Sequence, residues 1–163
     1  MAYEYLEGIG RGQISRVVAG RLKIGVDLLD GIEEIARKEN IKTGVILSGI
    51  GALQKSVFRN AKIVPPDYKM KDEYRLFVEI NKPLEIVSLC GWIATTGDGK
   101  CNIHAHLSAT TVIDDKIVSL GGHLIPGTIT SIKVVVIIGV MDDSNIKAAL
   151  DPKVNQVDLS FPA

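Results

Sequence analysis

The chain has three histidines, and all lie within twenty residues: His104 and His106 in Asn102-Ile103-His104-Ala105-His106, and His123 in Gly121-Gly122-His123-Leu124. Strand side chains alternate between faces, so His104 and His106 share a face, roughly 7 Å apart along it. Two imidazoles at that spacing can converge on one ion. Asn102, His104, His106, Ser108 and Thr110 fall on one side of such a strand, and Ile103, Ala105, Leu107 and Ala109 on the other. The apolar side belongs to a core. The polar side must therefore meet solvent, a pocket or another subunit.

Asp114-Asp115-Lys116 supplies a turn, and Ile117 to Leu120 returns as the partner strand of a hairpin, bringing His123 back toward the first two histidines. Gly121 and Gly122 remove side chains beside it and permit close backbone approach. Three neutral imidazoles suit a divalent metal, zinc first, with copper, nickel and iron as alternatives. Three protein ligands and one open position is the arrangement of catalytic rather than structural zinc. A fourth ligand from water, a carboxylate or a neighbouring subunit stays open. Asn102 and Ser108, on the same face, are the candidates to orient ligands or substrate. Cys101 has the wrong parity to join them. A plain surface role competes with this, because exposed strands carry His, Ser and Thr on their wet side. The third histidine, returned by a glycine-flanked hairpin, tips the balance toward metal.

Such a site needs strands to hold it. Ile14 to Lys23 has strand character, and Asp27 is placed as an N-cap, with Asp30 near the positive helix end. Leu28, Leu29, Ile32, Ile35 and Ala36 follow at helical spacing despite Gly31, and Asn40 supplies the stop. Val45-Ile46-Leu47 is a short apolar run ending in a Ser48-Gly49-Ile50-Gly51 turn. Strands are expected at Leu53 to Val64, Glu73 to Ile80, Leu84 to Ala94, Ile103 to Val112, Ile117 to Leu120 and Ile132 to Val140. A short one is expected at Gln156 to Phe161. Pro65-Pro66 and Gly97-Asp98-Gly99-Lys100 mark turns. One early helix beside many strands joined by short turns predicts an α+β fold with a mostly antiparallel sheet. A single domain over 1–163 is expected, with 1–11 as a loose N-terminal segment.

Composition bounds the function. A hydrophobic fraction of 46% with 23% charged residues excludes a disordered chain. Val134 to Met141, the longest apolar run, is far short of the roughly 20 residues that cross a membrane as a helix. Tyr3, Glu4, Glu7 and Arg11 interrupt any secretory apolar region, and two cysteines make no disulfide framework, so the cytoplasm is the expected compartment. Nineteen basic residues balance nineteen acidic ones, without the basic excess of a dedicated duplex binder. Lys55, Arg59, Lys62, Lys69, Lys71 and Arg75 form a local excess, read as a solvated strand face and loop rather than a nucleic-acid patch. Gly8 to Gly12 and Ser48 to Gly51 are glycine-rich, yet neither completes a phosphate-binding fingerprint. Trp92 is assigned to core or interface packing.

At the histidine elements the chain resembles the PPC family (plant and prokaryote conserved domain). The resemblance rests on His104-Ala105-His106 joined to Gly121-Gly122-His123-Leu124. Further matches are Arg21 before Gly25 and Leu28-Leu29, Ser48-Gly49-Ile50-Gly51-Ala52-Leu53, and Glu85-Ile86-Val87-Ser88-Leu89-Cys90-Gly91. They occur in family order over roughly residues 12–161. The resemblance implies an α+β fold around an antiparallel sheet, assembled as a homotrimer. Plant members are called DNA-binding because an AT-hook, an Arg-Gly-Arg-Pro core, is joined to this domain. Here Gly10-Arg11-Gly12-Gln13 lacks the second arginine and the proline. Lys133 also departs from the family, whose members place an acidic residue in that strand. The fold is similar to that of α-acetolactate decarboxylase, which holds zinc on three histidines.

Two functions follow as expectations. One is a stand-alone homotrimer whose three-histidine site binds metal structurally or as a sensor, with DNA or another protein as a regulatory partner. The other is a metal-dependent enzyme, a lyase or hydrolase acting on a small carbonyl or carboxylate substrate. For the second, Glu85, Asp114 and Asp115 are acid–base candidates by availability alone, and the two aspartates are first of all turn residues.

Overall fold

Helix α1 (Leu28–Lys38) begins where the sequence supplies its cap: Asp27 Oδ1 accepts the Leu29 N–H at 2.8 Å. The other Asp27 oxygen accepts the Gly127 N–H at 2.5 Å, tying the helix start to a distant loop. Arg37 and Lys38 sit in the last turn, where cations offset the helix dipole, and Asn40 leaves it at φ 50°. A computed structural model describes residues 4–142 and 144–161. Its strands are β1 (Arg16–Arg21), β2 (Thr43–Ile50), β3 (Ala52–Ala61), β4 (Arg75–Ile80), β5 (Leu84–Thr95), β6 (Cys101–Ile113), β7 (Lys116–Leu124), β8 (Ile129–Thr130), β9 (Val135–Val140), β10 (Lys147–Asp151) and β11 (Gln156–Ser160).

The main sheet runs β1-β9-β2-β5-β6-β7-β3-β4, with β8 added on β3 and every pairing antiparallel. Strand β3 also pairs with β5 at Ala52↔Glu85 and Leu53↔Leu84. Thus β5, β6, β7 and β3 close a ring of pairings that grips the histidine strands from both sides. Strands β10 and β11 form a separate hairpin. The predicted α+β fold with one main early helix and a mostly antiparallel sheet is the fold observed.

Alternation places the core. Ala105, Leu107 and Ala109 of β6 are buried and join Leu28 and Ile32 of α1, Leu89 and Ile93 of β5 and Ile138 of β9. Burying one of the leucine or isoleucine side chains contributes about 1.5–3 kcal/mol. None of the described helices is long and apolar enough to cross a membrane.

The structure moves several boundaries. Strand β2 runs on through Ser48, Gly49 and Ile50, with a register shift between Ile46 and Ser48, and only Gly51 (φ 139°) leaves the strand. The expected turn is therefore a bulged strand, because pairing with β9 continues across it. The strand expected at Ile132 to Val140 is shorter: β9 starts at Val135, and Lys133, before it, sits at φ 56°. Strand β7 extends through the glycines to Leu124, so His123 lies within a strand rather than after one. Glu73 belongs to a 3₁₀ turn before β4, and β11 has a partner, β10, that was not anticipated. Residues 4–11 carry no strand or helix and lie against the terminal hairpin, where Glu7 meets Lys153 at 2.6 Å. The first three residues of the expected loose segment lie outside the described ones.

Candidate metal centre

A two-residue turn sets the register of the histidine hairpin. Asp114 and Asp115 both take left-handed backbone angles (φ 50° and 58°), joining β6 to β7 with Ile113 opposite Lys116. Aspartate tolerates that region better than bulky residues do. His106 and His123 each lie seven positions from the closing pair Ile113 and Lys116 and therefore face each other directly. The neighbouring registers extend the row. Cys90 of β5 pairs with His106, Arg59 of β3 with His123, and Phe77 of β4 with Arg59. His104 sits one step along β6, opposite Trp92, with ring centroids 5.3 Å apart.

The three imidazoles converge. Their candidate ligand atoms all lie within 4.8 Å of one another, and the Nε2 atoms of His104 and His106 are 3.3 Å apart. His104 and His106 are nearly parallel, and His123 meets both edge-on. His104 and His123 are half-buried and His106 is exposed. Burial pushes the His123 imidazolium pKa down to about 3, helped by the Arg59 charge and then by the other two histidines. His104 is lowered too, by burial first and then by His106, with the Asp158 charge opposing. Both are neutral at pH 7, the form that ligates metal.

The histidines open onto a cleft of about 420 Å³, walled by Arg59 and Arg75 on one side and by Gln156 and Asp158 of β11 on another. Val64, Tyr68 and Met70 give it an apolar flank. An adjoining lobe of about 340 Å³ reaches Asn102. Arg75 is held at 2.8 Å by Asp72, while Arg59 has neither an ion pair nor a side-chain hydrogen bond among the described residues. Burial lowers the Arg59 pKa below its usual value, and the Arg75 charge adds to that.

Of the anticipated residues, the structure brings His104, His106 and His123 together and puts Asn102 in the second lobe. Ser108 lies outside both lobes, opposite Gly121. Gly121 and Gly122 line neither lobe, but they occupy tight places. A Cβ on Gly121 would lie 2.9 Å from the Leu107 carbonyl oxygen. One on Gly122 would lie 2.6 Å from Asn60 Oδ1, displacing a side chain that donates to the Gly121 carbonyl at 3.0 Å. Gly91 was not singled out for this reason, yet a Cβ there would collide with the His104 carbonyl oxygen. Cys101 packs toward the core, as parity required.

Glu85, Asp114 and Asp115 line neither lobe, and the carboxylate that does is Asp158. Arg59, Arg75, Gln156 and Asp158 escaped sequence reasoning. The local excess of basic residues was the available signal for the two arginines; nothing local marks Gln156 or Asp158. The rest of that basic segment is partly neutralised, with Lys55 on Glu79 at 3.2 Å and Lys71 near Glu73 at 3.8 Å. Trp92, expected in a core or an interface, lies partly exposed beside His104.

Comparison with known proteins places the architecture. A metal-containing protein from Archaeoglobus fulgidus superposes with a TM-score of 0.73 at 24% identity, covering 93% of this chain and 98% of that one. A candidate DNA-binding protein from Bacteroides thetaiotaomicron gives 0.71 at 18% identity, covering 94% and 96%. At these identities the likeness is one of fold. A bifunctional protein GlmU from Synechococcus sp. (strain JA-3-3Ab) is 32% identical over 112 residues, 69% of this chain, and the match spans 15% of that relative's length. Residues 9–142 match the model of the Plants and Prokaryotes Conserved (PCC) domain, and the chain belongs to that family.

Proposed function

We propose that this chain is a homotrimeric, cytoplasmic PCC-domain protein whose His104, His106 and His123 hold a divalent metal ion, zinc before copper, nickel or iron. The observation that carries this is the convergence of three imidazole ligand atoms within 4.8 Å. The donor set fits. Burial lowers both the His104 and the His123 pKa, which favours the neutral form, and all three are borne by a paired hairpin whose register leaves them little freedom. The metal-containing description of the Archaeoglobus fulgidus protein points the same way. Asn102, which lines the adjoining lobe, is assigned to orienting groups around the site, while Ser108 lies outside both lobes. Mid-sheet strands β2 and β5 expose Leu47, Ile50 and Val87, apolar surface of the kind that subunit contacts cover, which supports the trimer.

The test is elemental analysis of untagged protein beside a His104→Ala/His123→Ala double variant. Near-stoichiometric metal, lost in the variant, is the expected result. Absence of metal after incubation with zinc would return the histidines to an ordinary surface role. Light scattering after size exclusion checks the trimer against three times the 17.6 kDa chain mass.

The walled cleft favours a second reading, a lyase or hydrolase acting on a small carbonyl or carboxylate substrate. A bound ion with an open position polarises a carbonyl or lowers the pKa of bound water. Asp158 is the chain's own acid–base candidate there, in place of Glu85, Asp114 and Asp115. DNA is the other partner to test, on the strength of the Bacteroides thetaiotaomicron likeness. Binding that weakens steeply with salt would support it, and no duplex shift at low salt would remove it.

A further inference from the structure

The cleft holds one charged group that the metal reading does not use. Arg59 is directly opposite His123 across the β3–β7 pairing, so their Cβ atoms lie about 4.5–5.5 Å apart. Its side chain lines both lobes and has no anionic partner among the described residues. Arg75 lines both lobes as well, and its side chain is only 14% exposed. Asp72 neutralises one of these two guanidinium groups and Asp158 faces the cleft from across it, against two arginines and, on the reading above, a doubly charged ion. The four protein charges balance in number, and the ion would tip the sum positive. Arg59 itself has no partner among the described residues, and a half-buried positive charge without one is costly until an anion meets it.

We infer that Arg59 and Arg75 form a carboxylate-binding subsite beside the three-histidine centre, which makes a small carboxylate with a neighbouring oxygen the ligand class of this cleft. The inference rests on the metal reading for the neighbouring oxygen and on the arginines for the carboxylate. A guanidinium fork matches a planar carboxylate with two parallel N–H···O bonds. The apolar flank of Val64, Tyr68 and Met70 accommodates a short carbon chain, which favours a carboxylate over inorganic phosphate. The ligand would thus be held at one end by charge and at the other by the ion.

The probes are pyruvate, acetate and inorganic phosphate, titrated calorimetrically into zinc-loaded and metal-free protein. Pyruvate is expected to bind the loaded protein more tightly than acetate does. Arg59→Gln should weaken pyruvate binding about 10- to 100-fold with metal content unchanged. Arg59→Lys should not restore it, because a point charge lacks the fork. Asp72→Asn, which frees Arg75, should tighten it, and this variant leaves β3 untouched. Metal-loaded protein whose pyruvate affinity ignores both Arg59→Gln and Arg75→Gln overturns the subsite and leaves the metal reading standing. Arginine-dependent pyruvate binding by protein that takes up no metal upholds the subsite and removes the metal reading instead. Phosphate binding more tightly than pyruvate, through the same arginines, overturns the carboxylate assignment.

Discussion

Strand β3 carries polar residues on both faces, and the two sets are treated differently. On the inner face Ser56 is fully buried, with its Oγ 3.3 Å from Thr128 Oγ1, which also accepts the Val57 N–H at 3.1 Å. Nearby, the buried Thr130 hydroxyl lies 2.7 Å from the Lys23 carbonyl and 3.0 Å from that of Val26, and it accepts the Val26 N–H at 3.1 Å. Every buried side-chain polar atom among the described residues has a partner. On the outer face Arg59 has none, and beside it three imidazoles point their nitrogens at one another. The Nε2 atoms of His104 and His106 stand 3.3 Å apart, and Arg59 is a charge facing no counter-charge among the described residues. The inner cluster holds the fold; the outer one brings together three imidazoles that could hold a metal ion.

The two clusters should therefore fail in different ways. The largest effect is expected at the histidines: His123→Ala should weaken zinc binding by at least about 100-fold, beyond what outer-shell changes cost, with little loss of stability in the metal-free chain. Competition against a chromogenic chelator measures it. Thr128→Val should do the reverse. It strands the Ser56 hydroxyl and the Val57 N–H, so urea unfolding should show a loss of about 1–3 kcal/mol, with metal content unchanged.

Acid sharpens the contrast further. His123 has a folded pKa near 3 against 6.5 for the unfolded chain, so between those values the unfolded state binds more protons. The metal-free chain should therefore lose stability as pH falls from 6.5 toward 3 and gain none from this group above 6.5. Thermal melts of wild type and His123→Gln check the sign, the variant showing a shallower slope. The smallest effect is expected at Arg59→Met, which removes an unpartnered charge and keeps an apolar stem. Stability should change by no more than about 0.5 kcal/mol, by the same urea titration.

Much of this molecule was legible in advance where one short segment contains its own answer. The Asp27 cap, the apolar stripe of α1 and the two faces of β6 follow from spacing, because helix and strand periods are local. The Asp114-Asp115 turn then implied that His123 returns to the first two histidines. What misled was the glycines. Ser48 to Gly51 was read as a turn, yet pairing with β9 holds the backbone extended. Gly121 and Gly122 were placed after a strand that in fact contains them.

The sequence by itself determined the fold class, the family and the three histidines on one polar face, since each depends on residue type and near spacing. Only the tertiary structure decided what stands around them. Arg59 and Arg75 arrive through the β3–β7 and β3–β4 pairings, and Gln156 and Asp158 through a hairpin more than thirty residues beyond His123. Pairings between strands distant in sequence depend on how the whole sheet closes. No local pattern states which carboxylate will face which guanidinium across a cleft.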